Sequence, residues 1–195
     1  MKVAIIKYNA GNIMSVQFAL NRLGINCEVT DNFETIKSAD KVIFPGVGEA
    51  SSTMSYIKER KLDLLIKDLK QPVLGICLGQ QLMCSASEEG NVECLGIFKE
   101  KVKLFEPKLK VPHMGWNTLT NLKSKLYTSE IENQYVYFVH SYYVELGENT
   151  IATTNYIVPF SSSLHKANFY ATQFHPEKSS DVGAKILKNF IQLTN

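Results

Sequence analysis

A cysteine between two glycines is the most reactive feature of the sequence. Cys77 stands in a Gly-x-Cys-x-Gly pattern, after the apolar run 72–76 and before a periodic segment that extends to residue 86. This order predicts a strand, a tight turn and a helix, which is a nucleophile elbow with cysteine where hydrolases carry serine. The helix N-terminus favours the thiolate, and the Leu78 N–H can face an oxyanion. We interpret Cys77 as a nucleophile; the alternative is a small buried hydrophobic residue.

A histidine and a glutamate supply the other groups that a thiol nucleophile needs, a base and a group that orients it. His175 follows the predicted strand 169–174, and Glu177 is two residues further on. The carboxylate can hold one imidazole nitrogen while the other takes the thiol proton. The alternative is an exposed loop histidine beside a solvated glutamate. His113 and His140 stay open as a second base, ligand contacts or packing residues, and no histidine pair has helical metal-ligand spacing, so we expect no metal.

A second glycine loop can supply another oxyanion donor. Gly46-Val47-Gly48 follows the predicted strand 41–44 and precedes a helix. It resembles a phosphate-binding turn, but Ser51 stands where the third glycine of a dinucleotide fingerprint belongs, and no Gly-Lys-Ser/Thr follows. Two glycines let the backbone approach a reacting carbonyl, so we expect an N–H of this loop, that of Val47, to face the oxyanion. The alternative is a plain tight turn.

The elements that position these residues alternate in the first half of the chain. Predicted strands at 2–8, 25–29, 41–44 and 73–76 alternate with helices at 16–23, 33–37 and 50–70, the last of them broken near 60–61. This alternation implies βαβ units and a parallel sheet. Ligands bind beyond the carboxyl ends of such strands, so we expect the two glycine loops to lie near one another.

The second half of the chain has few helices between its strands. The predicted strands are 96–104, 135–144, 150–156, 163–166 and 169–174, and a closing helix carries apolar residues from 182 to 191. We therefore predict an α/β fold with three layers, in which helices flank a mostly parallel central sheet, and an antiparallel or mixed section in the C-terminal half. No stretch resembles a linker, so we treat residues 1–195 as a single domain.

Composition excludes several classes of protein. The 195 residues are 45% hydrophobic and 21% charged, with a formal net charge of +2, which is ordinary for a globular protein and gives no reason to expect nucleic acid or a membrane as partner. The N-terminus lacks the pattern of a signal peptide. The four cysteines have no Cys-x-x-Cys spacing, so we expect free thiols in a cytoplasmic protein.

Three linked motifs resemble those of the class I (triad-type) glutamine amidotransferases, in that family's order and spacing. They are Pro45-Gly46-Val47-Gly48, Gly75-Ile76-Cys77-Leu78-Gly79-Gln80-Gln81 and His175-Pro176-Glu177. Within the class, stretches 111–117 and 137–143 resemble the glutaminase subunits of imidazole glycerol phosphate synthase, an enzyme of histidine biosynthesis. The resemblance covers essentially the whole chain.

The resemblance implies a catalytic triad of Cys77, His175 and Glu177 that hydrolyses glutamine through a thioester. It places the oxyanion between the N–H groups of Val47 and Leu78. It also implies that further residues hold the glutamine, namely Gly46, Gly48, Gln81, Ser141 and Tyr142.

The resemblance implies no cofactor, and a partner that consumes the ammonia. In the family this partner is a (β/α)8-barrel cyclase, and the two subunits form a heterodimeric lyase. The products are imidazole glycerol phosphate and aminoimidazole carboxamide ribotide. Asn12 and the stretch 112–117 are interface or signalling candidates by the same resemblance.

Two departures from the family pattern leave alternatives open. Lys7-Tyr8-Asn9 stands where the family has Asp-Tyr-Gly, and Gln80 replaces a methionine. One alternative is a paralogous glutaminase that supplies ammonia for amidation of a surface sugar. Two others are a scaffold with an idle site and a stand-alone thiol hydrolase that needs no partner.

Overall fold

The computed structural model describes residues 1–8 and 12–194. In the first half of the chain the elements are β1 (Val3–Ile6), α1 (Ile13–Arg22), β2 (Cys27–Thr30), α2 (Phe33–Ser38), β3 (Lys41–Phe44), α3 (Ala50–Glu59), α4 (Leu62–Asp68), β4 (Val73–Ile76) and α5 (Leu78–Met83). In the second half they are β5 (Ala86–Ser87), β6 (Val92–Glu93), β7 (Lys101–Leu104), β8 (His113–Thr118), β9 (Tyr135–His140), β10 (Tyr142–Val144), β11 (Thr150–Tyr156), β12 (Val158–Lys166), β13 (Phe169–Thr172) and α6 (Ser180–Gln192). Single 3-10 turns occupy Ser129–Ile131 and Pro176–Lys178.

A seven-stranded sheet with the order β11-β12-β13-β4-β3-β1-β2 forms the centre of the molecule. The five strands from β13 to β2 are parallel, whereas β11 and β12 pair antiparallel at one end. A four-stranded sheet, β10-β7-β5-β6, and the β8–β9 pair lie outside it. This arrangement confirms the predicted α/β class, with its mostly parallel sheet and mixed C-terminal section.

Alternation along the buried strands produces the three layers, because successive side chains point to opposite faces of a sheet. On β1, Ala4 and Ile6 pack in one hydrophobic core with α3 and α4. Val3 and Ile5 pack in the other core with apolar residues of α1 and α6. Burial of both faces explains why these short strands read as continuous apolar runs.

Several predicted boundaries are confirmed in the first half. Lys61 adopts a left-handed conformation, with a φ of 57°, and this separates α3 from α4 where the break was predicted. Gly24, with a φ of 74°, follows the C-cap of α1 as the sequence indicated. The segment after the cysteine was predicted as periodic to residue 86, but its helix ends at Met83. Residues 9–11 of the predicted loop 9–12 lie outside the described residues.

The second half differs more from prediction. The predicted strand 135–144 is two strands of different sheets, separated at Ser141, and the predicted strand 96–104 is regular only from Lys101. The predicted strand 163–166 begins earlier, at Val158. Strand β8 was not predicted, because proline, glycine and histidine interrupt its apolar pattern. Its partner β9 lies beyond a loop, and only this pairing makes it a strand.

Candidate active site

Cys77 occupies the sharp turn between β4 and α5. Its φ of 55° and ψ of −107° place it in a conformation that L-residues rarely adopt. Its N–H donates to the Thr172 carbonyl at 2.7 Å, which ties the turn to β13. A Cβ at Gly79 would overlap the carbonyl oxygen of Phe44, so glycine is required there by the close approach of two backbones. The predicted nucleophile elbow is present.

His175 is held by two neighbouring strands. β13 lies beside β4 in parallel register, with Thr172 opposite Ile76, so the residues that follow these strands emerge at the same sheet edge. The His175 N–H donates to the Tyr137 carbonyl of β9 at 2.9 Å. The Ser179 hydroxyl donates to the His175 carbonyl at 2.6 Å. The backbone of His175 is therefore fixed through both its N–H and its carbonyl.

The imidazole of His175 and the carboxylate of Glu177 form a fully buried pair. His175 Nδ1 lies 2.8 Å from Glu177 Oε1. Asn12 Nδ2 donates to the same oxygen at 3.0 Å. Asn12 was expected only at an interface or in signalling, and the structure places it beside the carboxylate.

The charge state of His175 is set by Cys77 and Glu177. Burial lowers the pKa of His175, but the nearby Cys77 sulfur and the Glu177 carboxylate outweigh it and raise the pKa to about 10. His175 Nε2 is buried and has no well-aligned hydrogen-bond partner among the described residues. The nitrogen that does not face Glu177 is thus reserved for the sulfur, as a base for Cys77 requires.

Gln173 is a site residue that the sequence reasoning did not single out. Its Nε2 lies 3.8 Å from Cys77 Sγ. Its Oε1 accepts a hydrogen bond from Gln81 Nε2 at 3.0 Å. The signal was its position two residues before His175, inside the motif that follows the strand.

A cavity of about 280 Å³ opens beside the cysteine. It is lined by Val47, Gly48, Cys77, Leu78, Gln81, Glu89, Pro112, Val139, His140, Ser141 and Tyr142. The two glycine loops meet here, as predicted from their positions at strand ends. Of the residues expected to hold substrate, only Gly46 does not line the cavity. Glu89, the single carboxylate among the lining residues, was not predicted.

The two predicted oxyanion donors do not point together. The Leu78 N–H donates to the Gly46 carbonyl at 3.2 Å. In a trans peptide the N–H points opposite to the carbonyl, so the Val47 N–H points away from Leu78. The Tyr8 hydroxyl donates to the neighbouring Pro45 carbonyl, and burial raises the pKa of Tyr8, which keeps the hydroxyl protonated. The paired donation expected from Val47 and Leu78 is therefore not present in this conformation, in which the Leu78 N–H is paired with the Gly46 carbonyl.

The remaining open histidines form a buried pair. The register of β8 and β9 places His113 opposite His140, with His113 Nδ1 3.0 Å from His140 Nε2. Burial lowers the pKa of His113 to about 4. Burial, opposed by the Tyr142 carbonyl and reinforced by the charges of His113 and His175, lowers the pKa of His140 to about 3. Two rings that stay neutral and bond each other are unsuited to act as a second base.

The family model described as glutamine amidotransferase class-I matches residues 4–193. The chain belongs to this family. Two similar curated relatives are named imidazole glycerol phosphate synthase subunit HisH. The one from Bacteroides fragilis is 63% identical, over 99% of this chain and 100% of its own length. The one from Haemophilus influenzae is 46% identical, over 98% of each chain.

Solved structures of the same architecture support the fold assignment. A glutamine amidotransferase crystal structure matches with a TM-score of 0.75 at 17% identity, over 97% of each chain. PurLQS from Thermotoga maritima matches with a TM-score of 0.73 at 14% identity, also over 97% of each chain. At these identities the likeness shows the fold shared by class I glutamine amidotransferases.

Within residues 1–8 and 12–194, no helix is both long and apolar enough to cross a membrane. In the same residues, no three histidine, cysteine, aspartate or glutamate side chains are grouped to hold a metal ion. The reactive groups that the fold brings together in this class I glutamine amidotransferase chain are a thiol, an imidazole and a carboxylate.

Proposed function

We propose that the chain is the glutaminase subunit of imidazole glycerol phosphate synthase, with Cys77, His175 and Glu177 as its catalytic residues. The observation that carries the proposal is the buried His175–Glu177 pair at 2.8 Å, whose second imidazole nitrogen is left for the Cys77 sulfur. Full-length relatives at 63% and 46% identity bear that subunit's name. A paralogue that amidates a surface sugar has no comparable support.

The proposed reaction has two steps. The Cys77 thiolate attacks the side-chain carboxamide carbon of glutamine, and the bond to nitrogen breaks as His175 gives its proton to the departing ammonia. Water then attacks the γ-glutamyl thioester, with His175 taking the water proton, and the carbon–sulfur bond breaks to give glutamate and the thiolate. Glu177 acts as a positioning residue, because its contact fixes the ring orientation and stabilises the imidazolium.

The cavity suits a ligand of amino-acid size. Its 280 Å³ lies just below the range of drug-sized ligand pockets, which begins at about 300 Å³. The Glu89 carboxylate is the lining group that can pair with the α-ammonium of glutamine. Gln81 uses its amide hydrogens on Tyr142 O and Gln173 Oε1, each at 3.0 Å. We assign Gly48, Ser141 and Tyr142 to the backbone wall that orients the carboxamide toward Cys77.

The proposal includes gating of the oxyanion hole. Leu78 N–H is occupied by the Gly46 carbonyl, so the Gly46–Val47 peptide must turn over before Val47 and Leu78 can both donate to an oxyanion. Loss of one oxyanion donor typically costs about 3 kcal/mol of transition-state stabilisation. The isolated chain should accordingly be a slow glutaminase.

We propose that the activating partner is a (β/α)8-barrel cyclase, in a heterodimer, and that it contacts the face formed by α1 and β8. Met14 and Phe18, one helical turn apart on α1, are 55% and 53% exposed. Met114 and Trp116 point to one side of β8 and are 60% and 52% exposed. Trp116 lines a shared groove with residues of α1 and with Glu177. Apolar side chains that are exposed as one contiguous patch mark a protein interface, and we assign these four to such a patch.

Three further assignments belong to the proposal. A cytoplasmic location fits the four cysteines, which are all free thiols. A single domain over residues 1–195 fits a family match from residue 4 to residue 193. The chemistry of glutamine hydrolysis by a thiol needs no cofactor.

The test is glutamate release from glutamine by the chain alone, with the cyclase, and with the cyclase plus its nucleotide substrate. We expect slow release from the isolated chain and strong stimulation by both additions together. Release that is insensitive to the cyclase would leave the glutaminase chemistry in place and redirect the acceptor to a sugar pathway. Absence of release under every condition would overturn the proposed function and leave an idle scaffold.

A further inference from the structure

A continuous chain of hydrogen bonds runs from strand β8 to the wall of the cavity. Asn117 Nδ2 lies 3.3 Å from His113 Nε2, and His113 Nδ1 lies 3.0 Å from His140 Nε2. His140 Nδ1 lies 2.7 Å from the Tyr142 carbonyl oxygen. The same oxygen accepts from Gln81 Nε2 at 3.0 Å. Asn117 and His113 of β8, His140 of β9 and Gln81 of α5 are thereby connected through the carbonyl of one cavity-lining residue.

The hydrogen bonds of this series have one consistent direction of donation. The Tyr142 carbonyl can only accept, so His140 must carry its proton on Nδ1 and present a bare Nε2. His113 must then donate from Nδ1 to that nitrogen, and its own bare Nε2 accepts from the Asn117 amide. A second Asn117 contact, to the Asn155 carbonyl at 3.0 Å, fixes the orientation of this amide. Each ring therefore fixes the tautomer of the next.

The surroundings bury the two histidine rings and keep them neutral. The His113 ring stacks on Tyr156 and Phe138, with centroids 4.0 and 4.9 Å away. Phe105 and Phe160 contact the His140 ring at 5.4 and 5.2 Å. Both histidines have a lowered pKa, caused chiefly by burial. Hydrogen bonds inside such an apolar cage are strong and costly to break.

We propose that His140 and His113 are positioning residues for glutamine binding, which set the Tyr142 carbonyl and the Gln81 side chain in place and connect them to β8. The inference rests on the proposed function. Met114 and Trp116 lie on the same strand as His113 and Asn117 and are exposed. A shift of β8 would move His113 relative to His140. Binding of a partner at this strand would therefore change the position of the Tyr142 carbonyl and the Gln81 side chain.

The test compares variants of matched shape. His140→Asn keeps an N–H donor at the place of Nδ1, whereas His140→Leu has almost the same shape without a donor. In the complete complex with the cyclase, we expect His140→Leu to raise KM for glutamine about five- to tenfold, with a smaller change in kcat, because one hydrogen bond to the binding wall is lost. We expect His140→Asn, which keeps the bond to Tyr142 but loses the acceptor for His113 Nδ1, to raise KM less than His140→Leu and about as much as His113→Leu.

A double-substitution cycle tests whether the rings act together. His113→Leu should raise KM in the unaltered background. It should add little to the effect of His140→Leu, because the effects of substitutions within one hydrogen-bond network are not additive. Thermal unfolding of all variants reports any purely structural loss. Equal KM for His140→Leu and His140→Asn, or full additivity with His113→Leu, would overturn the inference.

Alkylation of Cys77 separates this inference from the proposed function. The rate at which a glutamine-analogue electrophile alkylates Cys77 depends on its binding to the cavity wall. The rate with iodoacetamide depends only on the reactivity and accessibility of the thiol. If the unaltered protein does not prefer the analogue, the proposed function fails. If it does prefer the analogue and His140→Leu retains that preference in full, the positioning role of His140 fails while the proposed function stands.

Discussion

The backbone N–H of Leu78 donates to the carbonyl oxygen of Gly46 at 3.2 Å, across the position where an oxyanion would form. The proposed nucleophile Cys77 and its proposed base His175 lie together, but the proposed oxyanion donors, Val47 and Leu78, do not point to a common site. The Tyr8 hydroxyl bonds the adjacent Pro45 carbonyl, so the turn is anchored just before the peptide that must rotate. In the proposed gating, the Gly46–Val47 peptide reorients while the surrounding fold is retained.

The Leu78 amide should report activation directly. In the isolated chain we expect its proton to be protected from solvent exchange by the Gly46 carbonyl. Addition of the cyclase with its nucleotide substrate and a glutamine analogue should shift the Leu78 resonance as its acceptor changes. The measurement is nuclear magnetic resonance of isotopically labelled chain. An unchanged Leu78 resonance in a fully active complex would contradict the gating proposal.

Cys77→Ala should abolish glutamine-dependent synthesis by the complex, since no other group can form the thioester. Ammonia-dependent synthesis by the partner should persist, because the fold and interface are retained. Both activities are measured as product formation, with added glutamine or ammonium. Simultaneous loss of both would argue against the division of labour between the subunits.

Glu177→Gln should lower kcat by about 10³- to 10⁴-fold, because the amide no longer enforces the imidazole tautomer. Asn12→Ala removes one hydrogen bond to the same carboxylate oxygen and should cost about tenfold or less. Steady-state glutaminase assays of the activated complex measure both effects. A larger loss for Asn12→Ala than for Glu177→Gln would place the chief function of Asn12 outside the triad.

The pKa of His175 predicts a pH dependence of stability. It is raised from 6.5 to about 10, so the folded state binds this proton more tightly than the unfolded state. Its contribution is complete below about pH 6.5 and is lost as pH rises toward about 10. The difference in free energy of unfolding between the unaltered chain and His175→Gln should therefore shrink over this interval. A difference that grows with pH would reverse the assigned direction.

Gly79→Ala should destabilise the fold severely, by more than about 3 kcal/mol, because the new methyl group would overlap the Phe44 carbonyl. Gly24→Ala is the matched control. Gly24 has a φ of 74°, and a methyl group there would meet no atom within 4 Å, so only backbone strain, about 1 kcal/mol, is expected. Denaturant unfolding compares the two. Similar losses would show that close approach at Gly79 is unimportant.

The parallel half of the fold could be predicted because its signals are local. Apolar runs bounded by glycine or proline mark β1, β3 and β4, and the nucleophile elbow follows from residues adjacent in sequence. The triad could be proposed because His175 and Glu177 are two residues apart, and because Cys77 and His175 each follow a predicted strand. These inferences need no knowledge of which distant segments pair.

The rest depended on contacts between distant segments. His113 and His140 are indistinguishable from exposed histidines until the β8–β9 register brings them together. The pairing of the Leu78 N–H depends on the orientation of the Gly46–Val47 peptide. A glycine-rich loop can adopt several backbone conformations, so this orientation could not be predicted. Glu89 reaches the cavity only because its loop packs on the start of α3, where its carboxylate accepts from the Ala50 N–H at 2.8 Å.

The pairing of Ile76 with Thr172 has a consequence for tolerance to sequence change. The proposed nucleophile and base follow two adjacent strands, whose spacing of about 4.8 Å is a property of the peptide backbone itself. Loops between these strands can lengthen, shorten or acquire new surfaces without altering that spacing. The sheet therefore fixes the reactive pair, whereas the surface around it can change. A proposed glutaminase of this kind can serve a different acceptor enzyme by changing only the surface that contacts it.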